Sequence, residues 1–245
     1  MRANYKLQRL YVTEPLAEGG AFTAERAQAH YLVNVLRMGD GAEVLLFNGR
    51  DGEWRAKVTP EGRKSATLTP VTLERPQPAP SDLVFCFAPI KSGRLDYMVQ
   101  KAVEMGAGTL QPVTTQFTQA RHPNMDKVAA WAMEAAEQCG ILALPDIREP
   151  LGLDALLAGW DAERRLIFCD EDASTNNPLP VLNALKERQI GLLVGPEGGF
   201  SDAEREMLRA LPYVTAIPLG PRILRADTAA VAALALVQAT AGDWS

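Results

Sequence analysis

Residues 190–200 read IGLLVGPEGGF, an apolar run that ends in a loop with three glycines. The first five residues are apolar apart from one glycine, which is typical of a strand covered on both faces in a parallel sheet. Ser201 follows the loop, with Glu204 three positions later, and this spacing predicts a capping box at the start of a helix. The stretch therefore predicts a strand–loop–helix unit, the building block of an α/β fold.

The same alternation of strands and helices extends over the rest of the second half of the chain. Strand-like runs are expected at 83–90, 109–113, 165–170, 190–194 and 214–219, and helix-like patterns at 94–105, 125–139, 180–188, 202–210 and 227–240. Near-continuous apolar strands that alternate with helices predict a parallel sheet with helices on both faces.

The first 75 residues have a different pattern, with short strands and turns. Strands are expected at 42–48, 53–59 and 65–73, hairpin-type Asn-Gly and Asp-Gly dipeptides lie at 48–49 and 51–52, and a helix is expected at 23–37. These elements predict a small β-barrel with one helix. Three prolines at 76, 78 and 80 cannot continue a helix or a central strand. We therefore predict a first domain at 1–75, a Pro-rich linker at 76–81 and a second domain at 82–245.

Composition excludes several classes of protein. The 245 residues are 47% hydrophobic and 22% charged, as in ordinary globular proteins. No apolar run approaches the ~18 residues of a membrane span, and no secretory signal is expected at the N-terminus. The chain has three widely spaced cysteines and two histidines, and these match neither the spacing of a zinc site nor an acyl-transfer triad. The odd number and wide spacing of the cysteines favour a reducing cytoplasm. We expect no bound metal.

Charge is distributed unevenly along the chain. The net charge is −5, but residues 1–80 hold 11 Lys and Arg against 9 Asp and Glu, whereas the remainder holds 14 against 21. An acidic total argues against a protein that binds any nucleic acid through bulk charge. A local basic face on the N-terminal part remains possible.

Unusual loops follow three of the predicted strands, at 168–172, 193–200 and 218–228. Ligands of parallel sheets collect at the carboxyl ends of the strands, and glycines let a ligand approach the backbone. In the third loop Ile223-Leu224 are suited to sandwich an aromatic base while Arg222 or Arg225 reaches a phosphate. The alternatives are a plain tight turn for the second loop, and core residues with surface ion pairs for the third.

Taken together, these loops resemble a known family. Several blocks along the chain are similar in order and spacing to the RsmE family. They are His30–Arg37, Gln100–Gly106, Glu134–Gly140, Gly195–Phe200 and Leu219–Ala229. RsmE is the family of bacterial 16S rRNA uridine-N3 methyltransferases, which belongs to the SPOUT superfamily. One departure is Ile141, where the family pattern has a basic residue.

The resemblance implies a fold, an activity and partners. The expected fold is a PUA-like RNA-binding β-barrel followed by an α/β SPOUT domain with a trefoil knot. The expected activity is transfer of a methyl group from S-adenosylmethionine (SAM) to N3 of a uridine in the 16S rRNA of the small ribosomal subunit, by a cytoplasmic homodimer with neither membrane nor DNA as a partner. Two rivals are a SPOUT enzyme that methylates tRNA or a ribose 2′-hydroxyl, and a non-catalytic ribosome-assembly factor.

The resemblance also assigns roles to residues. The SAM pocket is expected to use Leu193, Val194, Gly195, Gly199, Leu219, Gly220, Ile223, Leu224 and Thr228, with Cys169 and Asp170 closing its side. Arg225 is expected to orient the nucleotide and offset developing charge, and Glu197 to remove a proton or organise its loop. RNA contacts are expected from His30, Arg37, Lys91, Arg94, Lys101 and Arg121.

Overall fold

The computed structural model describes residues 6–62, 64–170, 175–185 and 189–244. Its contacts divide the chain into two compact units, one formed by residues 1–79 with 136–144 and the other by 80–135 with 145–245. Residues 171 and 172 of the loop expected at 168–172, and residues 186–188 of the helix expected at 180–188, lie outside the described residues.

Among its described residues, the first unit contains a five-stranded half-barrel and a short helix between the second and third strands. Its elements are β1 (Arg9–Tyr11), β2 (Phe22–Thr23), α1 (Arg26–His30), β3 (Ala42–Phe47), β4 (Glu53–Pro60) and β5 (Ala66–Arg75). The strand order is β1-β3-β4-β5-β2, with β1 parallel to β3 and the other pairs antiparallel. The three predicted strands are confirmed. The side-chain oxygen of Asn48 accepts the N–H groups of Arg50 and Asp51, which forms the predicted turn between β3 and β4.

The helix predicted at 23–37 is wrong in length. Helix α1 ends at His30 and continues as one π-helical turn, Tyr31–Val35. Arg37 then adopts a left-handed conformation with φ of 55°. Leu32 is fully buried in the core of this unit, so packing of this segment overrides the regular helical period.

A buried charge network joins β1, β4 and β5. The Glu53 carboxylate accepts hydrogen bonds from Arg9 Nε at 2.6 Å and Arg75 Nε at 2.7 Å, and its side chain is 1% exposed. Burial alone would raise the pKa of Glu53, but the hydrogen bonds from Arg75 and Arg9 outweigh it and hold the pKa below its ordinary value. The two arginines also donate to the backbone carbonyls of Glu137 and Gly140.

Those last contacts place residues 136–144 in the first unit, whereas the sequence-based division assigned them to 82–245. Ala136 and Leu142 form a small apolar cluster with Phe47. Ile141 packs partly buried against the same cluster, which gives its apolar side chain a structural role where the family pattern has a cation.

The second unit is a parallel α/β sheet, as predicted. Its strands are β6 (Val84–Phe87), β7 (Thr109–Thr114), β8 (Asp146–Ile147), β9 (Leu151–Gly152), β10 (Arg165–Cys169), β11 (Ile190–Val194) and β12 (Val214–Ile217), and its helices are α2 (Ser92–Glu104), α3 (Met125–Cys139), α4 (Leu153–Ala158), α5 (Leu179–Asn183), α6 (Asp202–Arg209) and α7 (Ala226–Ala241). Helix α3 runs on into residues 136–139 of the first unit. The strand order is β12-β10-β11-β6-β7-β8, and β9 pairs with β7. Every pair is parallel, and the predicted knot stays a prediction.

Burial explains why the strands of this sheet could be predicted from their apolar runs. All five residues of β11 and all four of β6 are buried.

Among the described residues, no helix is both long and apolar enough to cross a membrane. Across the same residues, no group of His, Cys, Asp and Glu is arranged to hold a metal ion.

Candidate functional site

Three neighbouring strands of the second unit end side by side at one edge of the sheet. In the order β12-β10-β11, Cys169 pairs with Ile217 and Phe168 with Leu193. Described residues at and after these strand ends line a cavity that is partly open to solvent, with a volume of about 190 Å³, an order of magnitude more than the ~15 Å³ that one water needs. The lining comes from the three strand ends and the residues that follow them, from α6 and from the start of α7, and includes Cys169, Asp170, Asn176, Val194, Gly195, Pro196, Glu197, Gly199, Phe200, Arg205, Leu219, Gly220, Pro221, Arg222, Ile223, Leu224, Ala226 and Ala229.

The loop after β11 is a tight turn that packs onto itself. The N–H of Gly199 donates to the carbonyl of Pro196 at 2.9 Å, and Gly199 has a φ of 67°, a conformation that favours glycine. Gly195 faces the buried ring of Phe200, since a Cβ at position 195 would lie 2.9 Å from the ring. The glycines therefore let the loop fold back tightly while its backbone lines the cavity.

Helix α6 begins directly after this loop, as predicted. The hydroxyl of Ser201 accepts the N–H of Glu204, and the Glu204 carboxylate accepts the N–H of Ser201. This reciprocal capping box satisfies N–H groups at the helix start and fixes the direction in which α6 leaves the loop.

The loop after β12 supplies the apolar side of the cavity. Gly220 has a φ of 87°, and no atom lies within 4 Å of the position that a Cβ would take there. Ile223 is 89% exposed, and Leu224 is half-buried beside it. Open backbone next to an exposed aliphatic side chain is suited to hold a flat, largely apolar ligand.

The end of β10 supplies a buried carboxylate. The Asp170 side chain is 1% exposed, and its oxygens lie 3.4 Å from Arg205 Nε and 2.5 Å from Arg209 Nη2. Asp170 and Arg205 both line the cavity, so α6 is bound by charge to this part of the wall. Arg205 was not among the residues predicted from the sequence. Arg205 and Arg209 are four residues apart on α6, so both side chains lie on the same face of the helix. This spacing is the local signal that could have identified Arg205.

Cys169, next to Asp170, is not suited to act as a nucleophile. Burial, together with the Asp170 carboxylate, raises the pKa of the Cys169 thiol to about 12. The thiol is therefore protonated at neutral pH, and the reactive form of cysteine is the thiolate.

The structure brings most of the predicted SAM-pocket residues to the cavity. Seven of the nine line it, the exceptions being Leu193 and Thr228. Leu193 is fully buried in the core of the second unit. Thr228 is exposed, and its N–H donates to the Asp227 carboxylate. The individual ligand contacts of all nine stay predictions.

The two residues predicted to take part in catalysis lie on different loops. Glu197 is exposed and lines the cavity on the β11 loop. Arg225 is exposed at the N-cap of α7, where its carbonyl accepts the N–H of Ala229 at 2.8 Å. It is not among the residues that line the cavity, although its neighbours Leu224 and Ala226 are. Their catalytic roles stay predictions.

The structure separates the predicted RNA-contact residues into two groups. His30 and Arg37 are exposed in the first unit, and Lys91 and Arg121 are exposed in the second. The other two form ion pairs: Arg94 with Asp227 at 2.9 Å, and Lys101 with Glu104 at 2.7 Å. Their roles toward RNA stay predictions.

Comparison with known proteins decides the family. A family model described as RNA methyltransferase domain matches residues 77–238, and one described as RNA methyltransferase PUA domain matches residues 24–71. The ribosomal RNA small subunit methyltransferase E of Rickettsia conorii is 30% identical over 95% of this chain and 96% of the relative. The chain belongs to the ribosomal RNA small subunit methyltransferase E family. The resemblance seen in the sequence is thereby confirmed, as are a PUA domain and an RNA methyltransferase domain.

Other relatives and solved structures match nearly the whole chain. The Synechocystis enzyme of the same name is 32% identical and is matched over 94% of this chain. The Neisseria gonorrhoeae methyltransferase E, solved with SAM bound, has a TM-score of 0.86, shares 24% identity and matches 98% of this chain and all of that one. A Legionella pneumophila methyltransferase in complex with SAM has a TM-score of 0.79, shares 27% identity and matches 96% of this chain and 98% of that one.

Proposed function

We propose that the protein transfers the methyl group of SAM to N3 of a uridine in the 16S rRNA of the small ribosomal subunit. The observation that carries this proposal is the cavity at the ends of β10, β11 and β12, in a chain whose relatives are named for small-subunit rRNA methylation. Two structures with the same fold were solved with SAM.

The lining of the cavity fits an adenosine. An adenine ring needs apolar walls together with backbone donors and acceptors at its edge. Ile223 and Leu224 supply apolar surface, and the backbone at Gly220 is open to close approach. When bound, SAM supplies a methyl group on a positively charged sulfur, a strong electrophile.

The chain's own contribution is alignment and charge. Uracil N3 carries a proton at neutral pH and is a poor nucleophile until that proton leaves. We assign Glu197 to accept this proton, because its carboxylate is exposed on the loop that lines the cavity. Arg225, exposed where the β12 loop meets α7, is assigned to offset the negative charge that spreads to the uracil oxygens.

The substrate must present an unpaired base. N3 lies on the pairing edge of uracil, so the target uridine has to be single-stranded or flipped out of a helix. The more basic first 80 residues, with Lys91 and Arg121 in the second unit, supply the cations for RNA. We further propose a homodimer that acts in the cytoplasm, where small subunits are assembled.

The test is methyl transfer from labelled SAM to small subunits that lack the modification, followed by mass spectrometry of the nucleosides. N3-methyluridine in the 16S rRNA is expected. Glu197→Gln and Arg225→Ala should each lower kcat by about 10²-fold or more at saturating SAM, whereas Glu206→Gln, on the exposed side of α6, should leave it unchanged.

Other outcomes would redirect the assignment. A methylated ribose or another base would place the protein on another SPOUT branch. Absence of both methyl transfer and SAM binding would favour the assembly-factor alternative. Full activity of Arg225→Ala would remove its catalytic role.

A further inference from the structure

A rigid turn follows β7, at residues 115–118. The hydroxyl of Thr118 accepts the N–H of Thr115 at 2.8 Å, and the N–H of Thr118 donates back to the carbonyl of Thr115. The two hydroxyls lie 3.0 Å apart, and both threonines are buried. These bonds leave the turn little freedom, because both threonines are fixed at backbone and side chain.

The turn is also fastened beside the cavity. The N–H of Gln116 donates to the Glu204 carboxylate at 2.7 Å, the same carboxylate that caps α6. Phe117, the next residue, contacts the β11 loop at Gly198, where a Cβ would lie 3.1 Å from the Phe117 Cβ. The residues on either side of Gly198 line the cavity.

Phe117 is 43% exposed at the apex of this turn. An aromatic ring held in water on a rigid support has little rotamer entropy left to lose when a ligand covers it. Arg121, a few residues along the same loop, is exposed and donates to the Gln116 carbonyl. An aromatic face close to a cation is the combination that single-stranded RNA-binding surfaces use.

We propose that Phe117 is a stacking platform for an unpaired base of the substrate RNA, held beside the β11 loop. This inference rests on the proposed function, because a base that is methylated at its pairing edge must first leave its helix. The ring supplies a flat apolar surface for the extruded base or its neighbour. A side chain at Gly198 would press on Phe117, which would have to shift by a few tenths of an ångström.

The test compares three variants at this position. Phe117→Ala removes the ring, Phe117→Leu keeps apolar bulk without an aromatic face, and Phe117→Trp keeps the face. At saturating SAM, kcat/KM for the RNA should fall roughly 5- to 150-fold in Phe117→Ala and Phe117→Leu, mainly because KM rises. In Phe117→Trp it should be close to the wild-type value. SAM affinity should not change in any of them. Met207→Ala on α6 removes another exposed apolar side chain (39% exposed) and should behave as wild type.

A second measurement does not depend on methyl transfer. A 16S rRNA transcript with 5-iodouridine in place of uridine, irradiated with the protein, should form an adduct on Phe117 that mass spectrometry can locate. An adduct without N3-methyluridine formation would refute the proposed function and keep the platform. N3-methyluridine formation with unchanged kinetics in Phe117→Ala and no adduct would refute the platform alone. A change of oligomeric state in Phe117→Ala would also refute it, because the ring would then belong to an interface between copies.

Discussion

Replacing Gly195 by alanine tests how the cavity wall is built. The new Cβ would lie 2.9, 3.2 and 3.3 Å from three ring atoms of Phe200, whereas carbon atoms in optimal contact lie about 3.5–4.0 Å apart. The ring would have to withdraw by roughly 0.5–1 Å. It is 4% exposed and packs edge-on against Phe168, at 5.8 Å between centroids, so it has little room to move.

The expected cost follows from that overlap. Overpacking a buried site by one methyl group costs about 1–3 kcal/mol. A loss of about 2 kcal/mol lowers Tm by roughly 4–8 °C in a protein of this size. Gly195 and Phe200 both line the cavity, so the displaced ring should also weaken SAM binding by about tenfold, equivalent to ~1.4 kcal/mol.

The assay is a double-mutant cycle read by thermal unfolding and by calorimetric titration with SAM. Phe200→Leu alone should destabilise, but it also removes the ring atoms that clash with the alanine. The double variant should therefore be more stable than the sum of the single effects by ~1 kcal/mol or more. Gly93→Ala, with no atom within 4 Å of its new Cβ, is the matched control.

Two results would refute this reasoning. If Gly195→Ala left Tm within 1 °C of wild type, the ring would not be confined as the structure shows. If the effects of Gly195→Ala and Phe200→Leu simply added, the contact between the two positions would not be the source of the cost.

Two further predictions concern buried carboxylates. The pKa of Glu53 is lowered in the folded state, so its stabilisation is fully present above the unfolded value of about 4.5 and is lost as pH falls through the folded value. Glu53→Gln should lower the free energy of unfolding by about 3 kcal/mol or more at pH 7. In urea titrations at several pH values, the free energy of unfolding of the variant should fall less steeply below pH 5 than that of wild type. A fall parallel to that of wild type would contradict this prediction. Asp170→Asn should cost about 1–3 kcal/mol, because its partner Arg209 is partly exposed, and should weaken SAM binding in calorimetry. Asp146→Asn removes a carboxylate whose ion pair with Arg148 is exposed on both sides, so it should change neither by more than a small amount, and equal effects of the two variants would argue against a role for Asp170 in the wall.

The parts of the fold that could be predicted are those whose signals are local. The apolar run 190–194 forms β11 with the predicted bounds, because burial on both faces leaves no polar position to obscure the pattern. The capping box at Ser201 and Glu204 marks the start of α6 correctly, since three residues contain the whole interaction. The three loops at the cavity could be predicted as well. Each follows a predicted strand, and adjacent parallel strands end at the same edge of a sheet.

The parts that were missed depend on contacts distant in sequence. Residues 136–144 pack in the first unit through bonds such as that from Arg75 to the Gly140 carbonyl, 65 positions apart. Asp170 meets Arg205 across 35 positions, and neither residue signals the other locally. Helix α4 (Leu153–Ala158) was not predicted either, because six residues are too few to establish a helical period.

Helix α6 explains how segments that are far apart in sequence form one site. The carboxylate of Glu204 accepts the N–H groups of both Ser201 and Gln116, so it joins the glycine loop to the turn that carries Phe117. The next residue, Arg205, forms an ion pair with Asp170 at the end of β10, with 3.4 Å between its Nε and the carboxylate. Two adjacent side chains in the first turn of one helix therefore fix three loops relative to each other. The proposed SAM cavity and the proposed RNA platform share this anchor, which would keep the spacing between them constant, as an in-line transfer between two bound molecules requires.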